Sequence, residues 1–249
     1  MAINKSSVRT IEILELFAAH GELTLTEVSV ALGIPPASTS DIIRALLAKQ
    51  MIEEANRRAK TYKIGVKAFA IGNAYLTNVN IVEIAGPVMT KLSEQIKNTV
   101  FLATLADNNI VYLHKIEPKD TFVSTCQIGS VASLTVTALG KVILAYNKQL
   151  QEKVFSEPLL KLTEHSITDP AKLKEQLVAA KVNGYSFDRF ENDERISCVG
   201  FPVFDQWGLV KYSISISGGD FELRDIEKEI RLGIAGAKKI SAGLGFVER

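Results

Sequence analysis

Two glycines and a pair of prolines set the layout of the first fifty residues. Gly21 and Gly33 can take the left-handed backbone that ends a helix, and Ile34-Pro35-Pro36 turns the chain before another begins. Between these breaks, apolar residues recur at helical spacing. Val8, Ile11, Leu14, Leu16 and Phe17 mark a first helix over about 7–19, Val28 and Leu32 a second, and Ile42, Ile43, Leu46 and Leu47 a third. Thr24 stands three residues before Glu27, the spacing of a capping box that opens the second helix. Met51-Ile52-Glu53-Glu54 and Thr61-Tyr62-Lys63-Ile64 follow as strand-like pieces around the basic loop Asn56-Arg57-Arg58-Ala59-Lys60. Three helices and then a basic hairpin is the order of a winged helix-turn-helix, assigned to residues 1–66.

Residues 67–80 continue a helical pattern that starts at Val66, with Phe69, Ile71 and Tyr75, and read as a connecting helix. From 81 to 249 the pattern is mixed. Helices are expected over 81–97, 137–146, 170–182 and 221–243. Strands are expected over 100–105, 110–116, 122–127, 185–190, 196–204 and 209–217, with hairpin turns at Asp107-Asn108-Asn109 and Gln206-Trp207-Gly208. Neighbouring strands flanked by helices imply an α+β fold with a mainly antiparallel sheet.

Composition narrows the function. The 249 residues are 47% hydrophobic and 23% charged, as a chain with a packed core requires. Two cysteines and three histidines make neither a disulfide framework nor a zinc site, so no metal or cofactor is expected. No run of eighteen apolar residues can span a membrane, and the expected location is cytoplasmic. The net charge of +1 excludes a polybasic binder, yet the charge is unevenly spread. Residues 1–80 hold nine Lys and Arg against seven acids, and five of those nine bases lie between positions 57 and 67. The remainder is slightly acidic, at −1.

Candidate sites follow from these elements. The first turns of the third helix would meet a DNA major groove with Ser38, Thr39 and Ser40, and with Arg44 one turn later. Arg57, Arg58 and Lys60 on the hairpin would contact phosphates or a minor groove. Alternation in 209–217 places Tyr212, Ile214 and Ile216 on one face, and Ser213, Ser215 and Ser217 on the other, toward either water or a polar cavity. Cys198, one hairpin earlier, could lie beside Ser215. Thr137-Ala138-Leu139-Gly140-Lys141 opens a helix whose free N–H groups could take an anion, although Thr137 can also cap that turn. A cysteine-dependent enzyme, with His114 or His165 as base to Cys198, is an alternative without a local hydrolase signature. A DNA-binding adaptor whose second domain only dimerises is another.

The run from Ser6 to Glu54, closed by Thr61-Tyr62-Lys63-Ile64-Gly65, resembles the IclR-type bacterial transcriptional regulators. So do TALGKVILAY (137–146) and NGYSFDRFENDERISCVGFPVFD (183–205), in the family's order. The resemblance implies a winged helix-turn-helix joined by a helix to a GAF-like effector-binding domain. It implies dimers, often paired into tetramers, that bind operator DNA and respond to a small molecule, more often as repressors. It implies that Cys198, Asp188, Ala138 and Leu139 reach the effector, with Ser215 and Ser217 in the cavity. Ser124, Gly129 and Ala132 would cover the pocket, and Leu139 and Ile196 would wall it. Such a pocket suits a carboxylate: a small carboxylic acid, a sugar acid or an aromatic acid. Pro36 and Asp41 depart from the basic residues that the family commonly carries there, which implies a different operator.

Overall fold

Asn4 opens the first helix, α1 (Lys5–His20), its side chain accepting from the N–H groups of Ser6 and Ser7; Gly21 closes it by donating to Phe17. The computed structural model describes residues 4–78, 81–118, 126–219, 222 and 224–247. It divides into two units, Met1–Val79 and Asn80–Arg249. In the first, α2 (Leu25–Leu32) carries the expected capping box between Thr24 and Glu27 and ends at left-handed Gly33. Helix α3 (Pro36–Ala48) starts with a proline in its first turn, where the missing N–H costs nothing. Ile13, Phe17, Val28, Ile34, Ile42, Ile43, Leu46 and Ile52 form one core between the three helices and the hairpin. That hairpin is β2 (Ile52–Asn56) against β3 (Thr61–Ile64). A two-residue strand, β1 (Leu23–Thr24), adds to its other side, pairing Leu23 with Tyr62. Two residues are too few to show alternation, so the sequence carries no sign of β1. Helix α4 (Val66–Asn78) follows.

The second unit is built on a six-stranded antiparallel sheet in the order β6-β5-β4-β9-β8-β7. Its strands are β4 (Thr99–Ala106), β5 (Asn109–Ile116), β6 (Val131–Ser133), β7 (Ser186–Asp193), β8 (Ile196–Phe204) and β9 (Val210–Gly218). Hairpins join β4 to β5, β7 to β8 and β8 to β9, and β9 closes the sheet by pairing with β4. The helices are α5 (Ile81–Ile96), α6 (Ala138–Ala145), α7 (Lys148–Val154), α8 (Pro170–Asn183) and α9 (Ile226–Gly243). The last begins at Ile226, capped by the Asp225 side chain, five residues later than its sequence pattern suggests. The expected strand 122–127 falls mostly outside the described residues, and Cys126 and Gln127 are not in a strand.

Helices cover both faces of the sheet. Phe201 and Ile214 are opposite each other on β8 and β9; the Phe201 ring lies against Gly233 of α9, and Ile214 approaches Gly236 of the same helix. The other face carries Gly200 and Ser215, also opposite each other, and it faces α6. A Cβ on Gly200 would stand 2.5 Å from the Ala138 carbonyl oxygen, so glycine is what allows α6 to rest directly on the sheet.

Candidate functional site

The residues expected to meet DNA lie on α3 and the hairpin of the first unit. Ser38 and Ser40 are half-buried on the first turns of α3, and Arg44 is exposed one turn on. Thr39 is a correction. It is 0% exposed, and its hydroxyl donates to the carbonyls of Ile34 and Pro35. It is a packing residue that bonds back to the turn ahead of the helix, with no surface to offer a base edge. Arg44 pairs with Asp41 at i,i+3, both side chains being about 70% exposed, at 72% and 69%. An exposed pair of this kind is worth about 0.2–0.5 kcal/mol, little for a phosphate or guanine to displace. At the hairpin tip the Asn56 side chain accepts from the N–H groups of Arg58 (2.9 Å) and Ala59 (3.1 Å). This Asx turn, closed by Lys60 at a φ of +52°, fixes a loop on which Arg57, Arg58 and Lys60 are all exposed.

The second unit gathers polar groups between the sheet and α6. Register alone brings three of them into one row: Asp188 on β7 opposite Cys198 on β8, opposite Ser217 on β9. Cys198 therefore neighbours Ser217, with Sγ and Oγ 2.8 Å apart, rather than Ser215 as expected; Ser215 is opposite Gly200 and Phe101. Ser213, Ser215 and Ser217 are all buried, so the serine face meets protein and not bulk water. The Ser213 hydroxyl has no hydrogen-bond partner among the described residues. Ile196 lies on the same face as Cys198, two residues before it. At the α6 end, Ala138 and Leu139 are buried against this face, and the Ala138 carbonyl accepts from Ser186 Oγ at 2.7 Å. Thr137 caps Gly140 N at 3.0 Å, so the helix start is satisfied in part by its own side chain.

Two residues near this row were missed in the sequence: Tyr112 on β5 and Cys126. Tyr112 is buried, packs edge-to-face on Phe101 with ring centroids 5.2 Å apart, and hydrogen-bonds the Cys126 thiol. Burial pushes its hydroxyl well above the usual tyrosine range, and the neighbouring Cys126, Cys198 and Asp188 add to that. Gly129 N donates to the Tyr112 carbonyl at 2.8 Å, which places the Gly129 segment over this tyrosine; Ala132 pairs with Ile110 nearby. Ser124 lies outside the described residues. A register shift between Leu102 and Ala103 decides which β5 residues turn inward, and no sequence pattern announces it.

The electrostatics favour neutral donors. Asp188 is 2% exposed, and burial lifts its carboxyl to about 7, against the lowering effect of the N–H groups of Glu191 (2.8 Å) and Asn192 and of nearby Lys141. Burial and Asp188 push the Cys198 thiol well above its ordinary value, the opposite of what a thiolate nucleophile needs. His114 lies toward Gly86 of α5, on the other side of the sheet, and burial lowers it. His165 is exposed on its loop. Lys141 is the buried cation closest in kind to an anion receptor, but it is committed: its ammonium meets Glu191 Oε1 at 2.6 Å and Gln176 Oε1 at 2.9 Å, and it is 0% exposed. Among the described residues, no group of His, Cys, Asp and Glu could hold a metal ion, and no helix is long and apolar enough to cross a membrane.

Comparison with known proteins connects the two units. Residues 6–55 match the IclR helix-turn-helix domain, and residues 73–241 match the bacterial transcriptional regulator IclR C-terminal domain. The DNA-binding transcriptional repressor YiaJ of Escherichia coli is 30% identical over 198 residues, covering 77% of this chain and 70% of that protein. The crystal structure of the Thermotoga maritima IclR protein is 28% identical, with a TM-score of 0.74 over 97% of this chain and 99% of that one. An IclR homolog from Microbacterium hydrocarbonoxydans, complexed with 4-hydroxybenzoate, shares the fold at 16% identity, with a TM-score of 0.85 over 96% of this chain and 99% of that one. The α+β architecture with its N-terminal helix-turn-helix, and these matches over both units, show that the chain belongs to the IclR family of bacterial DNA-binding transcriptional regulators.

Proposed function

We propose that the protein is a repressor whose grip on operator DNA is set by a small organic acid bound between α6 and the sheet. The observation that carries this reading is the row Asp188–Cys198–Ser217, its two ends buried and Cys198 half-buried, with Ser215, Tyr112 and the α6 start beside it. Soluble cores rarely collect a row of serine hydroxyls, a tyrosine, a thiol and a carboxyl on one sheet face without a ligand to satisfy them. Ser215, Ser217, Tyr112 and a protonated Asp188 are donors. A ligand carboxylate or hydroxyl is the acceptor they suit, and Leu139 and Ile196 supply apolar walls. A structural neighbour that holds 4-hydroxybenzoate is in keeping with an aromatic acid as one member of this class.

On the DNA side, Ser38, Ser40 and Arg44 enter the major groove, and Arg57, Arg58 and Lys60 hold phosphates. Helix α4 leaves Val66, Phe69 and Ile71 exposed, and a second copy of the chain covers them in a dimer. The protein works in the cytoplasm and needs no cofactor. The test is a thermal-shift screen of small carboxylates, sugar acids and aromatic acids, followed by operator binding with each hit. The expected result is a saturable rise in Tm for at least one acid, with a change in operator affinity that Ser217→Ala abolishes. A hit that leaves operator affinity unmoved sinks the sensing role.

A further inference from the structure

A cleft opens at the far end of α6. Strand β7 begins at Ser186, opposite Gly200, so Pro202–Phe204 of β8 has no strand beside it on that edge. The gap left there is a cleft of about 560 Å³ between the ends of α6 and α8, the β8 edge and α9. That volume lies within the range of small-molecule sites.

Its chemistry differs from that of the effector site proposed above. Tyr146 and Phe204 meet edge-to-face with ring centroids 5.2 Å apart, and Phe246 stacks on Phe204 at 4.8 Å, which makes an aromatic wall. Lys181, on α8, holds its ammonium 5.8 Å from the Tyr146 ring, and Lys238 stands on the α9 side. No Asp or Glu is among the described lining residues. An incoming peptide strand would find poor pairing, because Pro202 has no N–H and that of Phe204 is given to Ser241 Oγ at 2.9 Å. We propose that this cleft binds an amphipathic organic anion, an aromatic or acyl carboxylate. The apolar body lies on the three rings, and the charged head sits between Lys181 and Lys238. The two lysines are exposed, so the attraction weakens with salt.

The test uses the full chain and the fluorescent arylsulfonate 1-anilinonaphthalene-8-sulfonate as probe. Its binding is expected to saturate and to be displaced by benzoate or octanoate. The Lys181→Glu/Lys238→Glu double variant should weaken the probe at least tenfold, and Ala242→Trp, which fills the cleft from an exposed helix position, should abolish binding. Ser217→Tyr, which blocks the proposed effector site, should leave the probe in place. Loss of the probe in Ser217→Tyr alone, unchanged affinity in both cleft variants, or displacement by benzyl alcohol as effective as by benzoate would each overturn the proposal. So would a change of oligomeric state in the lysine variant, seen by light scattering without a change in probe affinity; the cleft would then be a contact between copies.

Discussion

At the residue scale, Asp188 ties the site to pH. Its folded value of about 7 lies above the ordinary aspartate value of 3.8, so the folded state prefers the protonated form. The stability it contributes is present below about pH 4 and is lost as pH rises through 7. Asp188→Asn keeps an acceptor for the Glu191 N–H and cannot ionise. It is expected to raise stability at pH 8 by about 1–3 kcal/mol and to change little at pH 4, read as Tm at the two pH values. Equal shifts at both would mean that packing, not ionisation, sets the effect. In the proposed site the same carboxyl faces the ligand. Lys141 favours its ionised form, Glu191 opposes it, and Cys198, Cys126 and Tyr112 all stay neutral near pH 7. An acid ligand placed beside it needs Asp188 protonated, so affinity for such a ligand should fall about tenfold per pH unit above 7, and this dependence should vanish in Asp188→Asn. Calorimetric titrations at pH 6 and pH 8 decide it.

At the element scale, α6 is fixed by two contacts that the motif TALGK contains but does not explain. Gly140 allows the helix to touch the backbone of Leu134, where a Cβ would come within 2.4 Å. Lys141 spans from α6 to Glu191, whose backbone N–H in turn holds Asp188. Lys141→Met leaves Glu191 buried and uncompensated and should cost about 3–5 kcal/mol, while Lys141→Met/Glu191→Gln should recover much of that, both read by chemical unfolding. On the hairpin, replacing Arg57, Arg58 and Lys60 by Ala should lower the slope of log affinity against log salt by about 1 for each phosphate that the wing neutralises. An unchanged slope removes the wing from the interface. Much of this frame was legible in the sequence, because caps, glycines and apolar spacing act over a few residues: the capping box at Thr24, the end of α8 at Gly184, and the hairpins at Asp107 and Trp207 all lie where the pattern puts them. What the chain hides is what distant pairing decides. Thr39 has the polarity of a DNA contact, but the helix geometry turns it inward. Cys198 sits beside Ser217 because of strand register, and Tyr112 turns to the same face because of a bulge where its own strand pairs with β4. The resemblance to a family supplied Asp188 and Ala138, which no local pattern of charge or spacing distinguishes.

At the scale of the whole molecule, charge and exposed apolar surface point to the same requirement. A net charge of +1 gives one chain few cations for phosphate, so the proposed reading draws tight operator binding from more than one copy. Helix α4 leaves Val66 72% and Phe69 70% exposed, one turn apart on a helix that also exposes Ile71. Large apolar side chains clustered on one exposed helix are what an interface between subunits needs. A two-fold operator binds two linked helix-turn-helix units far more tightly than one, since the second contact is made at high effective concentration. Phe69→Asp places a charge in that interface and should shift the protein to monomer in light scattering at micromolar concentration. Operator affinity should fall at least a hundredfold, while Tm changes little, because Phe69 is exposed and lies outside the core of the first unit. A Phe69→Asp protein that stays dimeric, or a monomer that binds a two-fold operator as tightly as before, would show that α4 does not join the copies.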